Sequence, residues 1–163
     1  MAKKKAAVTN AMRMLKAQKV EFREIEYETD EVGAAFGEKI ARLTGIPPEM
    51  SFKTLVAKGD KSGIIVCCIP VMCEVDLKKL AKVSKNKKVE MIHVKELLEL
   101  TGYARGSVSP IGMKKQYPTY VDISAKSLDE MAISGGRCGV TLILTPNDLE
   151  KTIKCKFEDI KEC

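Results

Sequence analysis

Six consecutive apolar residues, Ile64-Ile65-Val66-Cys67-Cys68-Ile69, constrain this chain more than any other stretch. A strand with no polar face must be covered on both sides, which places it at the centre of a sheet. Ser51 to Lys58 and the turn Gly59-Asp60-Lys61-Ser62-Gly63 come just before it, so the pair reads as a β-hairpin. The apolar run from Gly63 to Cys73 is too short to span a bilayer, and no membrane partner is expected.

Around this hairpin, helix and strand signals interleave without a strict βαβ rhythm. Thr9 caps a helix over Asn10 to Gln18, with Val8, Met12 and Leu15 at helical spacing. Val20 to Tyr27 alternates as a strand, but Val20 and Phe22 are out of phase with Ile25 and Tyr27, which suggests a bulge. Glu38 to Thr44 reads as a helix stopped by Gly45 and Pro47-Pro48. Asp76 caps a lysine-rich helix ending near Ser84, and His93 to Thr101 is a helix closed by Gly102. Val89 to Ile92, Thr119 to Ile123, Glu130 to Ser134 and Val140 to Leu144 read as strands, and Thr145-Pro146 opens a last helix. The expected architecture is a single α+β domain over residues 1–163, a mixed sheet packed by helices.

The chain carries a net charge of +6, which suits either a solvated lysine surface or a phosphate-rich partner. Lys78, Lys82 and Lys85 fall on one helical stripe bordered by Lys79, and Lys87, Lys88, Lys114 and Lys115 add to the basic surface. Aromatic residues make up only 5%, so base-specific reading by stacking is not expected. The six cysteines are Cys67, Cys68, Cys73, Cys138, Cys155 and Cys163. The first residues contain no apolar stretch like that of a signal peptide, and the cysteines form no C-x-x-C pair. All six are therefore expected to be reduced, in a cytoplasmic protein. One histidine, His93, cannot complete a common zinc set, and neither metal nor organic cofactor is expected.

Chemistry-bearing candidates are few. Lys53 shares its strand face with Leu55 and Ala57, which suits an edge lysine that reaches water or a lysine that lines a pocket. Two glycine-rich loops, Gly102 to Gly112 and Ser134 to Gly139, offer backbone N–H groups to anions. Gly102 serves as a helix cap, while Gly106 and Gly112 have no evident structural role; Ser134-Gly135-Gly136 also fits a hairpin turn. No G-x-G-x-x-G or G-K-[ST] fingerprint is present, which disfavours dinucleotide binding and nucleotide hydrolysis. No Ser/His/Asp or Cys/His set is discernible, so a reaction here needs a substrate that supplies its own reactive group.

Several segments, in one order, resemble the YbaK/EbsC family of free-standing aminoacyl-tRNA deacylases, relatives of the editing domain of bacterial prolyl-tRNA synthetases. They are Phe52-Lys53-Thr54-Leu55, Asp76-Leu77-Lys78-Lys79, Lys87 to Met91, Thr101-Gly102-Tyr103, Ser109 to Lys115, Ser134-Gly135-Gly136 and Asp148-Leu149. The resemblance covers nearly the whole chain and looks nearest to the branch that clears cysteine from proline tRNA. It implies a curved, partly barrel-like mixed sheet, and it places the family's essential lysine on Lys53, its glycine-loop position on Gly106 and its pocket serine on Ser134. Tyr27 and Phe36 fall on its pocket aromatics, and Gly112, Gly135 and Gly136 join the substrate-binding set. Thr141 stands at a position often acidic in relatives, Ser107 replaces a second glycine, and Glu26 and Thr29 replace flanking histidines.

The mechanism implied is intramolecular. The substrate thiol attacks its own ester carbonyl, tRNA leaves and a cyclic thioester is released, so the protein's work is orientation. Lys53 would hold the terminal phosphate or the reacting end, and N–H groups near Gly106 and Gly135 would receive the oxyanion. The implied partner is the aminoacylated 3′ end of tRNA, with prolyl-tRNA synthetase as a candidate second partner. Two other readings are a deacylase for another small amino acid such as alanine, and a non-catalytic tRNA- or synthetase-binding module.

Overall fold

The computed structural model describes residues 8–28 and 42–163. The hairpin is present as read: β2 (Phe52–Gly59) pairs antiparallel with β3 (Gly63–Pro70) from Phe52↔Pro70 to Gly59↔Gly63. Ile65 through Ile69 are fully buried, as an all-apolar central strand requires. The other neighbour of β3 is β6 (Thr119–Asp122), which runs parallel to it and to β9 (Lys156–Glu158). With β5 (Val89–Met91) on the far side of β2, this gives a mixed sheet in the order β5-β2-β3-β6-β9.

A second, antiparallel sheet has the order β1-β8-β7, formed by β1 (Arg23–Glu26), β8 (Val140–Leu144) and β7 (Met131–Ser134). A third is only β4 (Glu74–Val75) against β10 (Lys161–Glu162). The expected α+β class and mixed sheet are present, but the described strands form separate open sheets and do not close into a barrel.

The main core lies between the two larger sheets. Phe52, Cys68 and Val121 meet Met131, Ile133, Leu142 and Leu144, and two helices close the ends. One is α1 (Asn10–Ala17), which buries Ala11, Met12 and Leu15 and whose Thr9 hydroxyl accepts from the Met12 amide at 3.2 Å. The other is α4 (Pro146–Ile153), capped by Thr145 through the Asp148 amide and burying Leu149 and Ile153.

On the opposite face of the five-stranded sheet, α2 (Leu77–Val83) lays Leu80 and Ala81 over Ala57, Ile65, Cys67 and Ile69. A helix this short is marginal alone; burying one leucine contributes about 1.5–3 kcal/mol, enough to hold it in place. Asp76 accepts from the Lys78 and Lys79 amides, the cap read from sequence.

The expected helix from His93 is split. A 3₁₀ turn over Val94–Glu96 precedes α3 (Leu97–Thr101), and Gly102 ends it at φ 86°. Val20 and Phe22 precede β1 and pack on the main core, whereas Ile25 joins a cluster on the other face of its sheet. The phase change anticipated as a bulge is therefore the entry into an otherwise regular strand, since β1 pairs with β8 without interruption.

The cysteines depart from expectation. Cys73 and Cys163 form a disulfide, because pairing of β4 with β10 brings their Cα atoms to 4.6 Å. Cys67, Cys68 and Cys155 are free and buried; Cys138 is free and exposed. No described helix is long and apolar enough to cross a membrane.

Candidate functional site

The β1-β8-β7 sheet sorts its residues by alternation. Ile133, Leu142 and Leu144 face the main core, so Ala132, Ser134, Thr141 and Ile143 face the other way, with Ile25 opposite Thr141. Ile25, Ala132 and Ile143 pack with Ile46 and Met50 into a small apolar floor. At the end of that floor the side chains become polar: Ser134 pairs across the ladder with Thr141, and the Tyr27 phenol stands beside the Thr141 side chain. Burial pushes the Tyr27 phenol above its usual value of 10.0 against the pull of Thr141 and Gly139. At neutral pH it is a hydrogen-bonding group and not a base.

Lys53 reaches this face through the start of β2. A parallel bridge joins Ser51 to Ala132, and one further alternation along both strands brings Lys53 level with Ser134. The outer edge of β2 changes partner here. Its ladder with β5 ends at Ala57, after which the Val56 carbonyl accepts from the Ile92 amide at 3.3 Å. Lys53 lies in the gap before β7 takes over, where a long cationic side chain is tolerated.

Its side chain is 27% exposed, and Nζ stands 3.6 Å from Glu74 Oε1, too far for a good hydrogen bond. Glu74, itself 76% exposed, is a loose counter-ion that leaves the ammonium free to engage an anion. Nearby Cys67 is pushed up by burial to about 12, despite the opposing pull of Lys53, and stays a thiol.

The glycine loops divide between structure and site. The Gly135 amide donates to the Val140 carbonyl at 2.9 Å and the Gly136 amide to Ser134 Oγ at 3.3 Å. Hairpin closure thus occupies both N–H groups, and the expectation that the Gly135 amide serves as an oxyanion donor does not hold. The Gly135 carbonyl accepts from Thr9 Oγ1 at 2.6 Å, tying this turn to the start of α1.

Gly112 has a packing role that spacing did not reveal: at φ 76°, a Cβ there would lie 2.7 Å from the Asn10 carbonyl carbon. Gly106, at φ 85°, sits in a turn closed by the Ser107 amide on Ala104, and its own amide donates to no backbone group among the described residues. Tyr103 and Val108 on either side of it pack with Val56 and Val66, on the face of β2 opposite to Lys53.

The structure therefore gathers Tyr27, Thr141 and Ser134 on one face with Lys53 level beside them, and does not bring in Gly106, which lies toward the opposite face of β2, or Gly112, which is pressed against the start of α1. Phe36 lies outside the described residues. His93 begins the 3₁₀ turn and makes no capping bond, as a surface residue would. Among the described residues no cluster of three or more His, Cys, Asp or Glu could hold a metal. A hollow of about 730 Å³ between α1, β1 and the end of β8 is lined by Lys16, Glu24, Glu130 and Asp148 among others; it touches this face only at Ile143 and reaches none of Tyr27, Lys53, Ser134 or Thr141. Sequence reasoning missed Glu74; no local pattern ties it to a lysine that lies a hairpin away.

The comparisons with known proteins bear on the same chain. A model of the aminoacyl-tRNA editing domain matches residues 31–152. A protein of Enterococcus faecalis (strain ATCC 700802 / V583) that carries the name of a Cys-tRNA(Pro)/Cys-tRNA(Cys) deacylase, EbsC, is 45% identical over 161 residues, 98% of each chain. The proline–tRNA ligase of Brachyspira hyodysenteriae is 28% identical over 85 residues, 52% of this chain and 15% of that enzyme. A solved trans-editing enzyme for prolyl-tRNA synthetase superposes with a TM-score of 0.81 at 23% identity, covering 97% of this chain and all of its own. That last likeness speaks for the fold alone.

Proposed function

The chain belongs to the aminoacyl-tRNA editing domain family, and from that membership we propose that it removes cysteine mischarged on tRNA(Pro) by cleaving the aminoacyl ester. The observation that carries this reading is the polar face made by Tyr27, Thr141 and Ser134 with Lys53 level beside it, a site with hydrogen-bonding groups and a cation but no nucleophile of its own. In the proposed reaction the cysteine sulfur bonds to its own ester carbonyl carbon and the bond to the ribose oxygen breaks. The thiol proton passes to that oxygen, giving tRNA with a free 3′ hydroxyl and a four-membered cyclic thioester. Alignment of this kind can lower a barrier by about 7–11 kcal/mol.

Lys53 holds the phosphate next to the terminal ribose or the reacting end itself. Tyr27, Ser134 and Thr141 shape a small polar recess for a short side chain. The whole chain, residues 1–163, acts as one editing domain in the cytoplasm, where aminoacyl-tRNA is made, with prolyl-tRNA synthetase as a candidate partner and no metal in the mechanism.

The test is to incubate the protein with cysteinyl- and alanyl-tRNA(Pro). Loss of cysteine alone supports the reading; loss of alanine points to another small substrate, and loss of neither to a binding module. Lys53→Ala is expected to lower kcat/KM for cysteinyl-tRNA(Pro) by roughly 10²–10³-fold, the scale of losing one transition-state contact. An unchanged rate removes Lys53 from the mechanism.

A further inference from the structure

The five-stranded sheet carries over one face a row of cations that neither the fold nor the mechanism above uses. Lys53, Leu55 and Ala57 point to the same side of β2, and Leu55 and Ala57 cluster there with Leu77, Leu80 and Ala81 of α2. The helix therefore lies on the Lys53 side of the sheet. It begins beside that lysine, since Glu74, two residues before the Asp76 cap, is the carboxylate 3.6 Å from Nζ. Its chain ends at the far end of the β2–β3 hairpin. There the Asn86 side chain accepts from the Lys61 and Ser62 amides at 2.9 Å, and Asp60 accepts from the Lys87 and Lys88 amides at 3.0 and 3.1 Å. Helix and clip together follow the whole of β2, a length of about 23 Å.

Burial of Leu80 and Ala81 turns the other side of α2 to water. Lys78 and Lys82 are exposed along it, with Lys85 exposed just past the helix end, at spacings of four and three. Lys61, Lys87 and Lys88 are exposed where the chain is clipped to the hairpin turn. No carboxylate forms an ion pair with any of these lysines among the described residues. Two neighbouring acids are spent on the backbone, Asp60 on the amides just named and Asp76 on those of Lys78 and Lys79. Lys79 stands apart from the row, half-buried and held by Asp159 and the Lys161 carbonyl at 3.1 and 3.0 Å. Lys114 and Lys115 stand apart as well, because Met113 and Tyr117 beside them pack with Val56 and Val66 on the other face of β2. Like charges one turn apart oppose a helix already too short to stand alone, so the stripe works against its own fold until an anion covers it.

A row of lysines with no aromatic residue among them suits a row of phosphates bound without regard to base. We propose that α2 and the clipped turn form a track for the phosphate backbone of the tRNA acceptor arm, leading along β2 to Lys53. The reacting 3′ end then arrives beside Ser134 and Thr141 while the stem lies over Lys78, Lys82 and Lys85. This rests on the deacylase reading above. Phosphate contacts set position and affinity and carry no sequence information, so the track seats any acceptor arm and leaves the choice of amino acid to the recess.

The experiment compares wild type with Lys78→Gln/Lys82→Gln/Lys85→Gln and with a charge-matched control, Lys16→Gln/Lys19→Gln/Lys151→Gln. The control lysines are exposed on or just after α1 and on α4, across the sheet from α2. Substrates are cysteinyl-tRNA(Pro) over a salt series and 3′-cysteinyl-adenosine, which has no phosphodiester. The α2 triple is expected to raise KM for the tRNA roughly 10- to 100-fold with kcat within about threefold. It should also reduce the slope of log KM against log salt by about 2, the scale of three lost phosphate contacts. The control should leave that slope within about 0.5 of wild type, and all three proteins should cleave the adenosine ester alike. Equal effects from the two triples mean that net charge alone attracts tRNA, and overturn the proposal. Slower cleavage of the adenosine ester by the α2 triple puts those lysines in the fold or the chemistry and overturns it too. KM and slope unchanged in the α2 triple overturn it while leaving the deacylase reading intact. Unchanged tRNA affinity with lost binding to purified prolyl-tRNA synthetase does the same, giving the surface to a protein. Should wild type fail to deacylate, the deacylase reading falls. The salt slope for binding uncharged tRNA(Pro), compared between wild type and the α2 triple, then decides the track by itself.

Discussion

Breaking the Cys73–Cys163 disulfide should destabilise the protein without disturbing its native structure. The bond spans a sequence separation of 90, and confining an unfolded chain of that loop length corresponds to about 4–5 kcal/mol in the chain-entropy model. The native side of the balance changes little, because the segment before Cys163 is anchored independently. Ile160 is fully buried with its amide on Asp122 Oδ1 at 3.1 Å, and Lys161 Nζ reaches Asp122 Oδ2 at 3.0 Å. Unfolded-state compactness reduces the entropic figure, so a loss of about 2–4 kcal/mol is expected, or a fall of about 5–15 °C in Tm for a domain of this size.

The assay is thermal unfolding with and without a phosphine reductant, with Cys73→Ser/Cys163→Ser as the covalent control. Thiol titration in denaturant should count four groups before reduction, from Cys67, Cys68, Cys138 and Cys155, and in native buffer only the exposed Cys138 should react promptly. Six thiols in the unreduced protein, or a Tm indifferent to reductant, refutes the reasoning.

Two further perturbations test the frame around the site. Asp122 is fully buried and accepts from the Ser124 amide at 3.0 Å as well as from Ile160 and Lys161, so Asp122→Ala strands three donors and should cost about 3–5 kcal/mol in a urea titration. Burial alone would raise this carboxyl, but hydrogen bonds from Ser124, Ile160 and Lys161 hold it below its ordinary 3.8. Its contribution is therefore complete above about pH 5 and shrinks as pH falls through the ordinary value toward the lowered folded one, so wild type and variant should converge in acid; a gap that stays constant contradicts the assignment. Gly112→Ala pairs with Gly45→Ala as a steric test, since both glycines have left-handed φ, 76° and 73°, but only Gly112 is pressed on backbone. Each pays the left-handed penalty of about 1–2 kcal/mol, and Gly112→Ala should cost more because α1 must move; equal losses refute the close-packing argument.

What the sequence disclosed was what local physics decides. An unbroken apolar run can only be a central strand, and Thr9, Asp76 and Thr145 cap their helices through side-chain oxygens as their positions require. The site was legible in a weaker sense. Lys53 on spacing alone fits an edge lysine as well as a pocket lysine, and the fold explains why: it sits where β2 has lost β5 and not yet gained β7, so the place is an edge and a site opening at once.

Long-range closure left no sequence signal. Nothing near Cys73 announces Cys163, and nothing near Lys53 announces Glu74 across the β2–β3 hairpin. The glycines show the limit most clearly. Backbone N–H groups in a glycine-rich turn look available in one dimension, but the β7–β8 hairpin consumes those of Gly135 and Gly136, and α1 presses on Gly112. A turn's unused donors can be counted only once its strand partners are known, which is why the satisfied amides and the unsatisfied Arg137 guanidinium of one short loop could not be told apart before the fold was in hand.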